Sequence, residues 1–219
     1  MGIAFDAKTN TSVTGTASPL TFSHTCTGTD RILFVCAAVN TGTTVSSMTY
    51  AGSSMTLVGS VTDSAGPVTY LYYIVNPASG ANNVVVTASA TIYTTTAVSY
   101  TGAAQSGQLD ASGTTAGSTT TSYTSTATVN TSNSWMVACS RTGSGFTLTA
   151  GANTVVRQQP DAVILGAGAF WDSGADLATG SRSLNVTSTS QLFGGAIYAV
   201  FKPVATANTN QGFFRLSMR

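Results

Sequence analysis

Short runs of β-branched and aromatic residues recur along the whole chain, each bounded by Gly, Asn, Pro or Ser, and this rhythm restricts the fold more than any other feature. The runs fall at residues 3–7, 20–25, 31–39, 45–50, 55–61, 68–75, 83–88 and 95–101. After a Ser/Thr/Gly-rich stretch at 102–121 they resume at 123–129, 134–141, 146–150, 154–158, 163–171, 183–189 and 195–202. Val, Ile and Thr suit strands because a branched Cβ packs well on a pleated surface. The punctuation has its own mechanism. Tyr50-Ala51-Gly52-Ser53 puts Gly where a tight hairpin needs positive φ, and Asn76-Pro77-Ala78-Ser79-Gly80 pairs a preset Pro φ with a Gly exit. No window carries the spacing and caps of an amphipathic helix, and residues 102–110 have room for one helical turn at most. Composition agrees. There is no Glu, and charged residues make up 7% of the chain, against about 25% ordinarily. The expectation is an all-β, antiparallel β-sandwich of jelly-roll or lectin-like type.

The two halves echo one another in order. Ile32-Leu33-Phe34-Val35-Cys36 is matched by Trp135-Met136-Val137-Ala138-Cys139, and Met55-Thr56-Leu57 by Phe146-Thr147-Leu148. Residues 68–75 are matched by 163–171, 83–87 by 183–187, and Ala97-Val98-Ser99-Tyr100 by the run from Ala196 to Val200. A strand protein of biased composition yields such echoes by chance, so the alternatives are coincidence and a pseudo-repeat of residues 20–101 and 122–203. No Pro-rich or charged linker divides the halves. This favours one sandwich over residues 1–203, with 102–121 as a long surface crossover, over two tandem sandwiches. The expected core is Ile32, Phe34, Leu57, Leu71, Tyr73, Val84, Val86, Val98, Trp135, Val137, Ile164, Phe170, Val186 and Ile197.

With 42% hydrophobic residues and a net charge of +1, the chain has the means to fold and lacks the signature of disorder. No basic stripe invites nucleic acid. The longest apolar run, Ile32–Val39, is far shorter than the roughly 20 residues that span a bilayer. The opening residues have neither a basic start nor an apolar stretch, so the expectation is synthesis in the cytoplasm without a leader or membrane anchor. Cys26, Cys36 and Cys139 are odd in number. Cys36 and Cys139 read as core residues, and a Cys26–Cys36 or a Cys36–Cys139 bridge is left open.

Catalytic equipment is sparse. His24 is the single His, and it shares a strand face with Leu20 and Phe22, which suits a buried, hydrogen-bonded ring better than a base. No G-x-S-x-G elbow occurs, and paired carboxylates would have to come from seven Asp. No catalytic residue and no cofactor is expected. Asp172-Ser173-Gly174-Ala175-Asp176 is the one loop with concentrated carboxylates. Asp172 and Asp176 are a weak calcium candidate, set against an ordinary Asx turn. Tyr70, Tyr72, Tyr73, Tyr93, Tyr100 and Trp171 could stack on sugar, although strand alternation sends most of them inward. The sequons at Asn10, Asn130 and Asn185 are expected by chance in so Thr/Ser-rich a chain.

Residues 204–219 differ from the rest. A small polar linker is followed by an apolar end in which, as a strand, Phe214, Leu216 and Met218 share one face, and Phe213, Arg215 and Arg219 take the other. Such a tail must bury its apolar side chains. The choices are its own sandwich, as a late edge strand, or a partner's sheet edge.

Five runs together carry a resemblance: Ser23-His24-Thr25-Cys26-Thr27-Gly28, Arg31-Ile32-Leu33-Phe34-Val35, Met55-Thr56-Leu57-Val58-Gly59, Asn76-Pro77-Ala78-Ser79-Gly80-Ala81-Asn82-Asn83-Val84 and Val98-Ser99-Tyr100-Thr101-Gly102. The series resembles a diffuse group of Ser/Thr/Gly-rich β-sandwich proteins of tailed-phage virions and bacterial surfaces. It implies a virion-associated or surface-displayed sandwich. The absent leader, low charge, all-β pattern and apolar C-terminus add the expectation of a structural, non-enzymatic role, such as a capsid decoration protein or another head or tail accessory. The partners would be virion proteins such as the major capsid protein, with homo-oligomers expected and neither nucleic acid nor membrane bound. A carbohydrate-binding or adhesin module displayed on an extracellular surface is the alternative.

Overall fold

The computed structural model describes residues 2–11, 17–64, 66–115, 120–142, 147–159, 167–192 and 194–205, and among them every regular element is a strand. The first half holds β1 (Ala4–Thr11), β2 (Leu20–Cys26), β3 (Ile32–Val39), β4 (Val45–Tyr50), β5 (Ser53–Ser54), β6 (Thr56–Thr62), β7 (Val68–Val75), β8 (Gly80–Ala88) and β9 (Ile92–Thr101). The second holds β10 (Leu109–Thr115), β11 (Thr120–Val129), β12 (Trp135–Thr142), β13 (Leu148–Ala150), β14 (Val155–Gln158), β15 (Ala167–Asp172), β16 (Gly180–Leu192) and β17 (Ala196–Phe201).

The all-β, antiparallel fold expected from the sequence forms, as four sheets in a sandwich-like arrangement, two in each half. Their strand orders are β1-β9-β3-β7-β6 and β2-β8-β4-β5 in the first half, and β10-β17-β12-β15-β14 and β11-β16-β13 in the second. The correspondence extends to register. In β1 the pairing with β9 skips Asp6, and in β10 the pairing with β17 skips Asp110. In β6 the bulge falls at Val58, and in β14 at Arg157. Each bulged Asp accepts hydrogen bonds from the turn after the following strand: Asp6 from the Thr27 amide and hydroxyl, Asp110 from the Thr131 amide and hydroxyl. Asp30 and Asn133, just before β3 and β12, both adopt positive φ, at 52° and 61°; their short polar side chains tolerate that region.

Strand alternation explains the layering. On β3, Leu33, Val35, Ala37 and Val39 point into a core shared with Tyr50, Val84 and Val86, while Ile32, Phe34 and Cys36 point the other way. On β12, Met136 and Ala138 face Tyr123, Leu184 and Val186, and Trp135, Val137 and Cys139 face back toward the first half. The two five-stranded sheets therefore meet face to face through a central core of Ile32, Phe34, Leu71, Val98 and Tyr100 against Trp135, Val137, Phe170, Ile197 and Phe201. Its aromatic rings touch edge-on or tilted, with Tyr100 and Phe201 centroids 5.1 Å apart and Phe34 and Phe201 5.3 Å apart. Such contacts add about 0.5–1.5 kcal/mol beyond burial. The outer sheets alternate buried and exposed residues, as one-sided sheets do.

Three expectations need correction. Leu57 is 46% exposed, because the bulge sends Val58 into the central core in its place. Tyr73 is only half-buried, and its hydroxyl accepts a hydrogen bond from Gln108 Nε2 at 2.6 Å. The stretch 102–121 is no plain crossover, since it supplies β10 and the first residues of β11. Ile164 lies outside the described residues.

Candidate functional site

β2 turns His24 inward, where it is 1% exposed. The Ser99 hydroxyl donates to Asp6 Oδ2 at 2.7 Å and lies 3.1 Å from His24 Nε2. Ser99 has one proton, and it goes to Asp6. Nε2 therefore carries the imidazole proton, and Nδ1 accepts from the Thr9 hydroxyl at 2.9 Å. Burial lowers the His24 pKa to about 4, against the pull of the Asp6 charge. Burial alone would raise Asp6, but hydrogen bonds from Thr27 and Ser99 outweigh it and hold the carboxyl below its ordinary pKa. The chain of donors runs from His24 through Ser99 to Asp6. Here the imidazole gives Ser99 a hydrogen bond instead of removing its proton, the reverse of nucleophile activation. Its evident effect is to pin β2 against β1 and β9.

The Asp172 and Asp176 carboxylates engage separate donors. Asp172 is fully buried; Oδ2 accepts from the Tyr100 hydroxyl and from Arg157 Nε, both at 2.7 Å, and Oδ1 accepts from the Gly174 amide at 2.8 Å, which closes an Asx turn. Burial, followed by the Asp172 charge, pushes the Tyr100 hydroxyl well above its usual pKa. Asp176 Oδ1 accepts from Trp135 Nε1 at 2.9 Å. Among the described residues no cluster of His, Cys, Asp or Glu offers a metal three ligands. Two polar clusters join the halves instead. Tyr100 and Asp172 meet beside Arg157, whose guanidinium lies 4.3 Å from the Phe5 ring centroid. At another point Arg141 pairs with Asp63 and covers the Tyr93 ring.

The sugar-stacking candidates do not assemble into one platform. Tyr100 and Trp171 are fully buried, Tyr72 nearly so, and Tyr93 donates its hydroxyl proton to Asn40. Of the sequons, Asn130 is exposed, while the Asn185 amide donates to the Tyr123 carbonyl and the Thr124 hydroxyl.

A concave surface lies where the chain passes between halves. A groove of about 790 Å³ is lined by Gln105, Ser106, Asn133, Asp176, Lys202 and Val204, among others. Gly2 lies at the same place, and so does the departing C-terminal segment, fixed by the Val204 amide on the Gly102 carbonyl at 2.8 Å. Gly102 is at φ +73°, and a Cβ there would sit 2.3 Å from the Gly2 carbonyl oxygen, so this close approach requires glycine. The lining residues come from five distant stretches of sequence and, Asp176 apart, are unremarkable in each, which is why sequence reasoning missed the groove. The tail residues Phe213, Phe214, Arg215, Leu216, Met218 and Arg219 lie outside the described residues; the segment that leads to them begins at this groove. No family model, curated protein or solved structure matches the chain.

Proposed function

We propose that the chain is a non-enzymatic structural protein of a tailed-phage virion, a capsid decoration protein or another head or tail accessory. The observation that carries this reading is the repeated strand order. In each half one sheet runs first-ninth-third-seventh and the other second-eighth-fourth, or their counterparts. This alternation is the order of a jelly roll, an architecture of viral capsid and lectin domains. Fold alone does not fix function. The internal chemistry adds to the case, because the buried polar clusters hold strands and halves together. So does the weakly charged surface, which suits a protein retained in an assembly.

On this reading the groove end is the attached end. The tail reaches a virion protein such as the major capsid protein and adds a strand to an open sheet edge, with Phe214, Leu216 and Met218 as apolar anchors and Phe213, Arg215 and Arg219 on the other face. Homo-oligomers on a lattice follow from many equivalent attachment points. The test is co-sedimentation of recombinant chain with particles that lack it. The full chain should pellet with particles, and a chain ending at Val204 should fold yet stay in the supernatant. Equal pelleting of both, or of neither, contradicts the assignment.

A carbohydrate-binding module is the second reading, favoured by the open groove lined with hydroxyl and amide groups. A glycan array separates the two. Binding that is lost in Asn133→Ala and Asp176→Ala supports the module, and silence supports the virion role.

A further inference from the structure

Cys36 and Cys139 hold the same place in the two halves. Cys36 on β3 lies opposite Leu71 and Thr96, and Cys139 on β12 lies opposite Phe170 and Ile197. Both side chains leave their strands toward the central core, and both are buried, at 1% and 0% exposure. β3 and β12 are the middle strands of the two sheets that meet there. Sheets packed face to face ordinarily stand about 10 Å apart, whereas a disulfide needs its Cα atoms within about 4.4–6.8 Å. Beside these cysteines the sheets come closer than usual. Thr96, the neighbour of Cys36 on β9, donates its hydroxyl to the Gly168 carbonyl of β15 at 3.2 Å. A Cβ on Gly168 would lie only 2.8 Å from that hydroxyl, so the missing side chain permits the approach. The two cysteines share one core, and their strands β3 and β12 approach to within 8 Å between Cα atoms. Burial raises the Cys139 thiol well above its usual pKa, and the Cys36 thiol adds to the rise.

We propose that Cys36 and Cys139 form an oxidisable pair that closes a disulfide between the two halves of the molecule. Cys26 is excluded from the pair by topology. It packs in the core of the first half, on the opposite side of the five-stranded sheet from Cys36. The co-reactant is a small disulfide such as oxidised glutathione. One cysteine thiolate attacks a glutathione sulfur and releases a glutathione thiolate. The second cysteine thiolate then attacks the mixed disulfide and releases the other. The protein loses two electrons, the glutathione disulfide gains them, and the two cysteine protons end on two glutathione thiols. Thiols so deeply buried react slowly in the closed molecule. The bond therefore forms while the chain folds or while the halves part, and once formed it opposes their parting.

The experiment refolds the full chain from denaturant in a glutathione redox buffer, alkylates remaining thiols and maps the peptides by mass spectrometry. The expected product is lighter by two hydrogens, carries alkyl groups on Cys26 alone, and yields a reductant-sensitive peptide pair containing Cys36 and Cys139. It should also unfold at a higher urea midpoint than the reduced chain. Cys26→Ala should retain the bridge, and Cys139→Ala should lose it. Never-unfolded protein held with oxidised glutathione in urea below its midpoint serves if refolding fails. Three alkylated cysteines in the folded product, or a bridge that includes Cys26, would overturn the proposal.

Discussion

Acidification between pH 7 and pH 4 should weaken the fold through His24 in particular. The folded pKa is about 4, and burial is the main cause; an unfolded chain titrates near about 6.5. The depressed value means the fold holds the ring neutral, so its contribution is complete above about pH 6.5 and is lost as pH falls toward 4. The difference, at about 1.4 kcal/mol per pH unit, comes to roughly 3 kcal/mol. Asp6, the charged group of the His24 cluster, also has a lowered pKa, so its own contribution disappears only further into acid. Buried Cys26 and Tyr50 are shifted upward and do not titrate in this window. Urea unfolding at pH 7, 5.5, 4.5 and 4 measures the effect in the wild type and in His24→Gln. The wild type should lose about 3 kcal/mol across the series. The variant should start less stable at pH 7 and show little slope before the Asp residues titrate. A flat wild-type profile, or an equal slope in the variant, would refute the assignment of a neutral, proton-donating imidazole.

Phe201→Ala, at the centre of the interface between halves, should cost about 3–5 kcal/mol in a denaturant melt. Leu57→Thr should change stability by no more than about 0.5 kcal/mol, since the side chain is exposed, whereas Leu33→Ala on β3 should cost about 2–5 kcal/mol. Asp172→Asn should lose about 1.5–3 kcal/mol through its charge-assisted bonds to Arg157 and Tyr100, measured in the same way. A chain ending at Val204 should keep the wild-type circular dichroism spectrum, because the last described strand, β17, ends at Phe201.

The layering was partly legible. Ile32–Val39 is apolar at every position, which already means burial on both faces, and a two-layer sandwich leaves its sheets covered on one face only. Weighing that run against the alternating strand Leu20–Cys26 would have separated inner sheets from outer ones. β10 was hidden because Leu109–Thr115 is small, polar and glycine-containing, and is held by pairing with β17 rather than by its own side chains. Leu57 misled for a local reason: a bulge reverses which residues face the core, and Val58 is no different in composition from a regular position. His24 was placed correctly by alternation, yet its partners Thr9, Ser99 and Asp6 come from strands distant in sequence. The groove was illegible for the same reason, since it exists only after two halves and both ends of the described chain meet.

Quantitative mass spectrometry of density-purified phage particles from a host carrying this gene tests the virion assignment most directly. The account predicts the chain at a fixed copy number relative to the major capsid protein, unchanged by a salt wash and absent from the soluble lysate after assembly. Particles without the chain, or a chain that remains wholly soluble while particles mature, would contradict it.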